Sequence, residues 1–292
     1  MNIGRRVTVY RSSNTWLTRK KNILDGLIVI TTFTLLAIML FPFLWIFVTS
    51  LKPERELFSA SLALNVKSIT LVNYMGLWEA GFARFFMNSL FVCTVAVIIS
   101  TFLAVLAAYA FSRMHFRGKQ SLLTTIAASQ MFPWVVLITP IYVLFWKLRF
   151  INTYRGLILS YIAITLPYSI YLLLGYFNAI SKELDDAASI DGCSTLGTIF
   201  RVILPVSTPG LVATATYSFV QAWNEFLFAL TFMTRTELKT LPVGLASFFG
   251  EYTTEWGKAM AASAITTIPT VLFFLLIQRH LISGLTAGSL KS

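Results

Sequence analysis

Six long apolar segments dominate this sequence, and each has about the length needed to cross a lipid bilayer. A spanning helix takes about 20 predominantly apolar residues. Lipid offers no hydrogen-bond partners to an exposed backbone, so each segment must be helical. The six segments are Ile23–Val48, Phe86–Phe111, Leu122–Phe145, Leu157–Phe177, Leu211–Phe232 and Ala259–Ile277. The sequence therefore predicts an all-α polytopic membrane protein with six transmembrane helices.

The composition supports a membrane protein over a soluble or nucleic-acid-binding one. Hydrophobic residues make up 57% of the chain and charged residues 12%, against about 25% charged residues in soluble domains. The net charge of +11 would suit a nucleic-acid partner. However, six of the 23 basic residues lie in the first 21 positions, and most others lie in short loops between apolar segments. We interpret this distribution as a topology signal and expect no nucleic-acid partner.

The placement of lysine and arginine predicts the orientation in the membrane. A basic cluster places the N-terminus in the cytoplasm, and six crossings return the C-terminus there. The cluster consists of Arg5, Arg6, Arg11, Arg19, Lys20 and Lys21. The second connection agrees with this orientation through Arg113, Arg117 and Lys119. The third connection disagrees with it through Lys147, Arg149 and Arg155.

This topology divides the chain into three parts. Residues 1–22 form a cytoplasmic N-terminal segment and residues 23–280 a six-helix transmembrane domain. Within that domain, residues 178–208 form a cytoplasmic loop. Residues 281–292 form a cytoplasmic C-terminal tail. Within it, Gly284–Ser292 is too polar and too rich in glycine to form a spanning or packed helix.

The loop 178–208 contains a strongly patterned stretch, which reads E-L-D-D-A-A-S-I-D-G-C-S-T-L-G-T-I-F-R-V-I-L-P from residue 183 to residue 205. Ser181 can cap a first short helix, and the acidic residues suit its positive N-terminal end. Gly192 is a natural stop for this helix. A second helix, ending at Pro205, would carry one apolar face. That face consists of Leu196, Ile199, Phe200 and Ile203.

Two interpretations of this loop are open. The small side chains of Ala187 and Ala188 would let the backbone of another protein approach closely, which favours a docking element for a cytoplasmic partner. The alternative is an amphipathic helix that lies on the membrane surface. Such helices usually carry Lys or Arg on the polar face, whereas here four acids stand against two basic residues. They are Glu183, Asp185, Asp186 and Asp191 against Lys182 and Arg201.

The residues give no sign of catalysis or of a metal site. No G-x-x-x-x-G-K-[ST] phosphate-binding loop is present, so the chain does not bind ATP in that way. The histidines, His115 and His280, have no metal-ligand spacing, and the cysteines, Cys93 and Cys193, form no disulfide framework. We therefore expect neither an enzyme nor a cofactor bound by this chain, and energy for any transport must come from a partner.

Glu225 is a carboxylate well inside the fifth apolar segment, and intramembrane ionisable residues are functional candidates. It could line a substrate path, or it could brace a kinked helix near the outer interface. Aromatic side chains could stack on sugar rings by their apolar faces, although such residues are more often packing or interface anchors. The candidate pathway residues are Tyr217, Gln221, Trp223, Asn224 and Glu225.

Three motifs carry a resemblance to a known family. D-A-A-S-I-D-G at Asp186–Gly192, followed by I-L-P at Ile203–Pro205, resembles the EAA loop of binding-protein-dependent ABC importer permeases, usually E-A-A-x-x-x-G. Asp replaces the first Glu, and Cys193 replaces the usual small residue after the glycine. W-N-E-F at Trp223–Phe226 resembles the family's W-N-[DE]-F signature. G-L-T-A-G at Gly284–Gly288 resembles the ending of the maltose-type second permease subunit.

The resemblance implies a role in a larger complex in the bacterial cytoplasmic (inner) membrane. This chain would be one of two non-identical permease subunits, with two copies of an ATPase subunit that bind ATP and Mg. Residues of the patterned loop would couple to the ATPase, namely Glu183, Asp185, Asp186, Ala187, Ala188, Asp191, Gly192, Leu204 and Pro205. Residues of the tail would also reach the ATPase, namely Gly284, Leu285, Thr286, Ala287 and Gly288.

The outside loop Met233–Lys258 would meet an extracytoplasmic sugar-binding protein. In the maltose-type family the corresponding loop reaches into the cleft of the binding protein. The candidate contact residues are Phe248, Phe249, Gly250 and Tyr252. The alternative is a loop that only packs on neighbouring spans.

The sequence thus leads to a principal hypothesis with two alternatives. The principal one is the permease subunit of an ABC importer for a sugar or oligosaccharide. An ion-coupled secondary transporter that uses Glu225 is the second, and a membrane-anchored assembly factor the third. The patterned loop favours the first.

Overall fold

The computed structural model describes residues 15–58, 68–250 and 254–289, with side chains described from residue 23 to 275 within these ranges and at residue 278. The described residues form fourteen α-helices, one π-helical turn, one 3-10 turn and an isolated β-bridge between Phe249 and Thr254. The helices are α1 (Thr15–Ser50), α2 (Glu54–Leu57), α3 (Val72–Glu79), α4 (Phe82–Arg113), α5 (Lys119–Gln130), α6 (Trp134–Lys147), α7 (Tyr154–Ala179), α8 (Glu183–Ile190), α9 (Thr195–Thr198), α10 (Leu204–Val206), α11 (Thr208–Trp223), α12 (Leu227–Phe232), α13 (Leu241–Ala246) and α14 (Trp256–Ser289). The predicted all-α class is confirmed.

Four helices are long and apolar enough to cross a membrane. They comprise Ile23–Ser50, Phe82–Arg113, Tyr154–Ala179 and Trp256–Leu275. Two further candidates are bent helix pairs: α5 with α6, at 100°, and residues 195–206 with α11, at 86°. By length and composition, the described chain therefore has four candidate spans, or up to six if each bent pair counts as one.

The third predicted span, Leu122–Phe145, is not one straight helix. α5 ends at Gln130, and α6 begins after Pro133, which has φ −64° and ψ 115°. Proline has no backbone N–H to donate and disfavours helical backbone in the residue before it. The helix therefore stops and restarts here in another direction.

The fifth predicted span, Leu211–Phe232, is also divided. α11 begins earlier than predicted, at Thr208, and ends at Trp223. A short irregular segment containing Asn224 and Glu225 follows, and α12 starts at Leu227. The sequence W-N-E-F therefore marks a break in the membrane-embedded chain.

α4, α7 and α11 pack together as the core of the molecule, and small or hydroxyl side chains line their contacts. The Ser100 and Thr165 hydroxyls lie 2.9 Å apart, joining α4 to α7. The Ser169 and Ser218 hydroxyls, also 2.9 Å apart, join α7 to α11. Helices in membranes associate through such close packing and interhelical hydrogen bonds. These three helices therefore form a tightly packed frame.

The two ends of α7 define the two faces of the molecule. Its 26 residues span about 39 Å at 1.5 Å per residue, roughly the thickness of a bilayer. α8 follows the C-terminal end, so we call that side the α8 face. The N-terminal end, beside α12 and α13, lies on the opposite face.

The last helix extends further than the sequence analysis predicted. α14 continues through Ser289, so most of the predicted tail 281–292 has helical backbone. Helical backbone alone does not make this segment a spanning or packed helix, so the expectation for residues 284–292 stays a prediction.

Candidate functional site

The patterned loop folds as predicted in its first half. α8 covers Glu183–Ile190, and three acidic residues occupy its first turn. The hydroxyl oxygen of Ser181 accepts a hydrogen bond from the Glu183 backbone N–H at 3.3 Å. The acidic side chains lie beside the positive end of the helix dipole, where they stabilise the helix.

Gly192 ends α8 in a two-bond turn. Its φ is +78°, a left-handed conformation that glycine adopts without strain. The Gly192 N–H donates to the Ser189 carbonyl at 3.1 Å, and the Cys193 N–H donates to the Ala188 carbonyl at 2.9 Å. These two bonds are the Schellman pattern. They confirm the prediction that Gly192 stops the helix.

The structure separates the predicted coupling residues into outward and inward groups. The outward, exposed ones are Glu183, Asp186, Ala187, Asp191 and Gly192. Ala188 faces the core and is only 4% exposed. It is therefore not available to another protein, contrary to the expectation from the sequence. Ile190, which the sequence analysis did not select, is 87% exposed and stands beside the acidic residues.

Asp185 also turns inward, where it joins α8 to the end of α4. Its carboxylate accepts from Arg113 Nε at 2.9 Å and from the Tyr109 hydroxyl at 2.8 Å. The Arg113 and Asp185 side chains are 9% and 15% exposed. In such sheltered surroundings the attraction between opposite charges is screened less than at the surface. Asp185 therefore positions α8 instead of contacting a partner directly.

Arg113 extends this connection to a third helix. Its guanidinium donates from Nη1 to the Phe177 carbonyl at 3.0 Å and from Nη2 to the Ile180 carbonyl at 3.1 Å. These carbonyls lie at the C-terminal end of α7, where backbone acceptors have no partners within the helix. One side chain thus joins α4, α7 and α8. The sequence analysis used Arg113 only as a topology signal, because nothing in the sequence pairs it with Asp185.

The second half of the loop departs from the predicted single helix. A π-helical turn, Ile199–Ile203, separates α9 from α10. This turn breaks the predicted apolar face: Ile199 and Ile203 are 3% and 0% exposed, whereas Leu196 and Phe200 are 59% and 44% exposed. A π-turn adds one residue per hydrogen-bonded ring, which rotates the following side chains.

The end of this segment lies close to the prediction. α10 ends at Val206, one residue beyond Pro205. Leu204 is half-buried, and Pro205 is exposed. The Phe200 ring stacks on Phe102 of α4 with centroids 6.3 Å apart. The segment therefore packs against α4 before α11 begins.

The candidate pathway residues fall on two sides of α11. Tyr217, Gln221 and Asn224 follow the spacing of one helix face, and Gln221 and Asn224 are exposed. The Tyr217 ring lies 4.0 Å from that of Tyr168 on α7, which is 40% exposed. We call these four residues the polar stripe. Asn224 Nδ2 donates to the Val220 carbonyl at 2.8 Å, and amide groups that the protein does not satisfy need water or a polar ligand.

Trp223 and Glu225 do not belong to the polar stripe. Trp223 is 1% exposed, and its indole N–H donates to the Thr266 carbonyl at 3.1 Å. The Glu225 carboxylate accepts from the Phe228 N–H at 2.7 Å and from the Ala229 N–H at 3.1 Å. Both bonds cap the start of α12, so the geometry supports the bracing alternative for Glu225.

The loop Met233–Lys258 is anchored to α4 by two neighbouring residues. Asn88 Nδ2 donates to the Glu237 and Lys239 carbonyls, each at 2.9 Å. The Ser89 hydroxyl accepts from the Leu241 N–H at 2.7 Å. The segment before α13 is therefore held in one position on the opposite face.

The aromatic residues of this loop have different surroundings. Phe248 is 7% exposed and packs on Phe82 with ring centroids 6.1 Å apart, so it is a core residue, contrary to the expectation that it contacts a partner. Phe249 is 48% exposed and forms an isolated β-bridge with Thr254, and Gly250 is exposed beside it. Tyr252 lies outside the described residues, as do the side chains of Gly284–Gly288, whose backbone is helical.

Comparisons with known proteins agree with this architecture. The chain is 40% identical over 277 residues to the trehalose/maltose transport system permease protein MalG of Thermococcus litoralis, covering 93% of this chain and 99% of that protein. It is 35% identical over 263 residues to the diacetylchitobiose uptake system permease protein DasC of Streptomyces coelicolor, covering 90% and 95%.

A solved structure shows the same fold. A chain in the crystal structure of a bacterial ABC transporter involved in the import of the acidic polysaccharide alginate matches with a TM-score of 0.74 at 20% identity, covering 93% of this chain and 99% of that one. The family model of the binding-protein-dependent transport system inner membrane component matches residues 96–286. The chain therefore belongs to this family of inner-membrane transport permeases.

Proposed function

We propose that this chain is a permease subunit of an ABC importer that moves a sugar or oligosaccharide across the bacterial cytoplasmic membrane. The observation that carries the proposal is the polar stripe: two tyrosines and two amides along membrane-embedded helices, exposed except for the half-buried Tyr217, without a charged side chain among them. Aromatic faces suit the apolar faces of sugar rings, and amides suit their hydroxyls. The named relatives transport trehalose or maltose and diacetylchitobiose, which supports the same substrate class.

The stripe would act as this subunit's side of the translocation path. Tyr168 and Tyr217 form a paired aromatic surface, while Gln221 lies one turn further along α11 and Asn224 directly follows the end of that helix. Because Glu225 and Trp223 point into the protein, neither would touch the sugar. Recognition would therefore depend on stacking and neutral hydrogen bonds.

Coupling would occur through α8. Its exposed residues Asp186, Ala187, Ile190 and Asp191 would enter a groove of an ATPase subunit, which binds ATP and Mg. Arg113 would hold α8 against α4 and α7, so that movement of the ATPase moves the spanning helices. In this arrangement the C-terminal helical segment 281–289 would lie on the same side and reach the ATPase as well.

The complete transporter would contain this chain, a second non-identical permease, two copies of the ATPase and an extracytoplasmic sugar-binding protein. Its six spans would leave both termini in the cytoplasm, with the opposite face outside. Consistent with a partner or lipid beside it, the apolar stretch of α1 has exposed side chains from Ile23 to Leu44. The exposed Phe249 and Gly250 would meet the binding protein.

The ion-coupled alternative has no support. Both carboxylate oxygens of Glu225 accept backbone hydrogen bonds at the start of α12, and the family is one of binding-protein-dependent transport systems.

The test is uptake by the complete transporter reconstituted in vesicles with its ATPase and binding protein. Trehalose and maltose would be the first substrates. We expect uptake to require ATP and the binding protein, and to persist when ionophores abolish proton and sodium gradients. Uptake that needs a gradient but not ATP would contradict the proposal.

A further inference from the structure

A basic surface on the opposite face is unexplained by the topology. It is formed by two segments, residues 147–155 and 235–239, which carry five basic residues and one carboxylate, that of Glu237. The basic residues are Lys147, Arg149, Arg155, Arg235 and Lys239. The positive-inside rule disfavours lysine and arginine in short loops outside the membrane. Their presence here therefore calls for another reason.

Direct hydrogen bonds bring the two segments together at Asn152. Its side-chain oxygen accepts from the Thr234 N–H at 2.9 Å and from the Arg235 N–H at 3.1 Å. Its backbone N–H donates to the Phe232 carbonyl at 2.9 Å. Arg149 and Arg155 each lie three residues from Asn152, so their backbones are held near that of Arg235.

A second junction fixes the other end of the surface. The Tyr154 hydroxyl donates to Asn88 Oδ1 at 2.8 Å, and Asn88 Nδ2 donates to the Lys239 carbonyl at 2.9 Å. Tyr154 precedes Arg155, which lies over the Phe150 ring at 5.8 Å from its centroid. The five basic residues therefore lie on one preformed surface.

The charges of this surface are available to a partner. Lys147, Arg149, Arg155 and Arg235 are exposed, and Lys239 is half-buried. Among the described residues, the two ion pairs are Arg113–Asp185 and Lys258–Glu255, and neither involves this surface. Five cations beside one carboxylate produce a positive field that attracts acidic molecules.

We propose that this basic surface is the electrostatic docking site for an acidic region of the transporter's soluble binding protein. The inference rests on the proposed function, in which that protein delivers the sugar at this face. The hydrogen bonds at Asn152 and Asn88 hold the two segments in fixed positions. Such a fixed arrangement suits a partner with fixed charges, because preorganisation lowers the cost of binding. Mobile lipid headgroups need no such arrangement.

The test uses the complete transporter in vesicles and measures ATPase rate against the concentration of its sugar-loaded binding protein. The test variant combines Arg149→Gln with Arg235→Gln, and a matched variant combines Arg149→Lys with Arg235→Lys, which keeps the charges. The control is Arg55→Gln on α2, an exposed arginine outside both segments. Basal ATPase rate and elution of the intact complex show that each variant folds and assembles.

At about 50 mM salt we expect the Gln variant to raise the half-saturating concentration of binding protein roughly tenfold, with an unchanged maximal rate. The Lys variant and Arg55→Gln should match the wild type. Raising the salt to about 300 mM should bring the wild type close to the Gln variant, because salt screens exposed charges.

Two results would overturn the inference. One is an unchanged half-saturating concentration in the Gln variant. The other is a defect that occurs in vesicles with phosphatidylglycerol and disappears in vesicles of neutral lipid, which would assign the surface to lipid headgroups. A wild-type complex that no loaded binding protein stimulates would instead contradict the proposed function, and this inference with it.

Discussion

Arg113 and Asp185 form a 2.9 Å ion pair that joins the end of α4 to α8. The same guanidinium holds two carbonyls at the end of α7. α8 is therefore attached to α4 and α7, and these two helices pack against each other along their length. This connection gives a physical route by which a force on the α8 face reaches the membrane core.

Breaking this ion pair should loosen α8 locally. Removing one partner of a buried pair costs about 3–5 kcal/mol, and part of this cost should appear as easier opening of α8. We expect Arg113→Gln to raise amide hydrogen exchange in Glu183–Ile190 at least about tenfold in the assembled complex. Asp186→Asn removes one exposed charge near the helix N-terminus, which contributes about 0.3–1 kcal/mol, so it should raise exchange by less than about fivefold. If the amides of α8 exchange at the same rate in Arg113→Gln as in the wild type, the ion pair does not hold the helix.

The turn at Gly192 gives a prediction about backbone conformation. A Cβ at this position would meet no heavy atom within 4 Å, so a substitution acts through the positive φ and not through a clash. Left-handed backbone costs other residues roughly 1–2 kcal/mol, and more for β-branched ones. We expect Gly192→Val to abolish coupled uptake while the protein still reaches the membrane. Gly192→Asn should transport, because asparagine tolerates this conformation. Normal uptake with valine would refute the argument.

The two phenylalanines of the outside loop should respond differently. Phe248→Ala removes a buried ring, which typically costs about 3–5 kcal/mol, so its main effect should be a lower melting temperature of the purified complex. Phe249→Ala should leave melting unchanged and weaken stimulation of the ATPase by loaded binding protein. If Phe249→Ala lowers the melting temperature and Phe248→Ala weakens the stimulation, then Phe248, and not Phe249, meets the partner.

Glu225 should behave as a helix cap. Glu225→Gln keeps the shape but loses the charge that accepts the Phe228 and Ala229 N–H groups. Loss of a cap costs about 1 kcal/mol, which corresponds to a fall of about 2–4 °C in melting temperature. Uptake by the variant should still require ATP. If the variant has an unchanged melting temperature but no uptake, Glu225 acts in the transport path and not as a helix cap.

The sequence was sufficient to predict features that depend on local patterns. Long apolar segments indicated the membrane helices, and the glycine in D-A-A-S-I-D-G indicated the end of α8. These predictions succeed because helix length and the left-handed stop are determined within a few residues. The orientation of the termini stays a prediction.

Features that depend on distant residues were not predictable in the same way. The pairing of Arg113 with Asp185 spans 72 positions, and no spacing rule connects them. The inward turn of Ala188 and the burial of Phe248 likewise follow from the packing of other helices. The break at Pro133 had a local cause, but its 100° bend depends on how α6 packs against α12 and its neighbours.

The central claim is that α8 docks in a groove of an ATPase subunit, and crosslinking tests it most directly. In a background with Cys193→Ser, we would place Ile190→Cys on the 87% exposed side chain of α8 and a second cysteine along the groove of the ATPase. The control is Ala188→Cys, at a position that is 4% exposed. We predict a crosslink from residue 190 that the control lacks. If residue 190 crosslinks to no position of the groove and instead reacts with a thiol reagent confined to the lipid, α8 lies on the membrane and the account is contradicted.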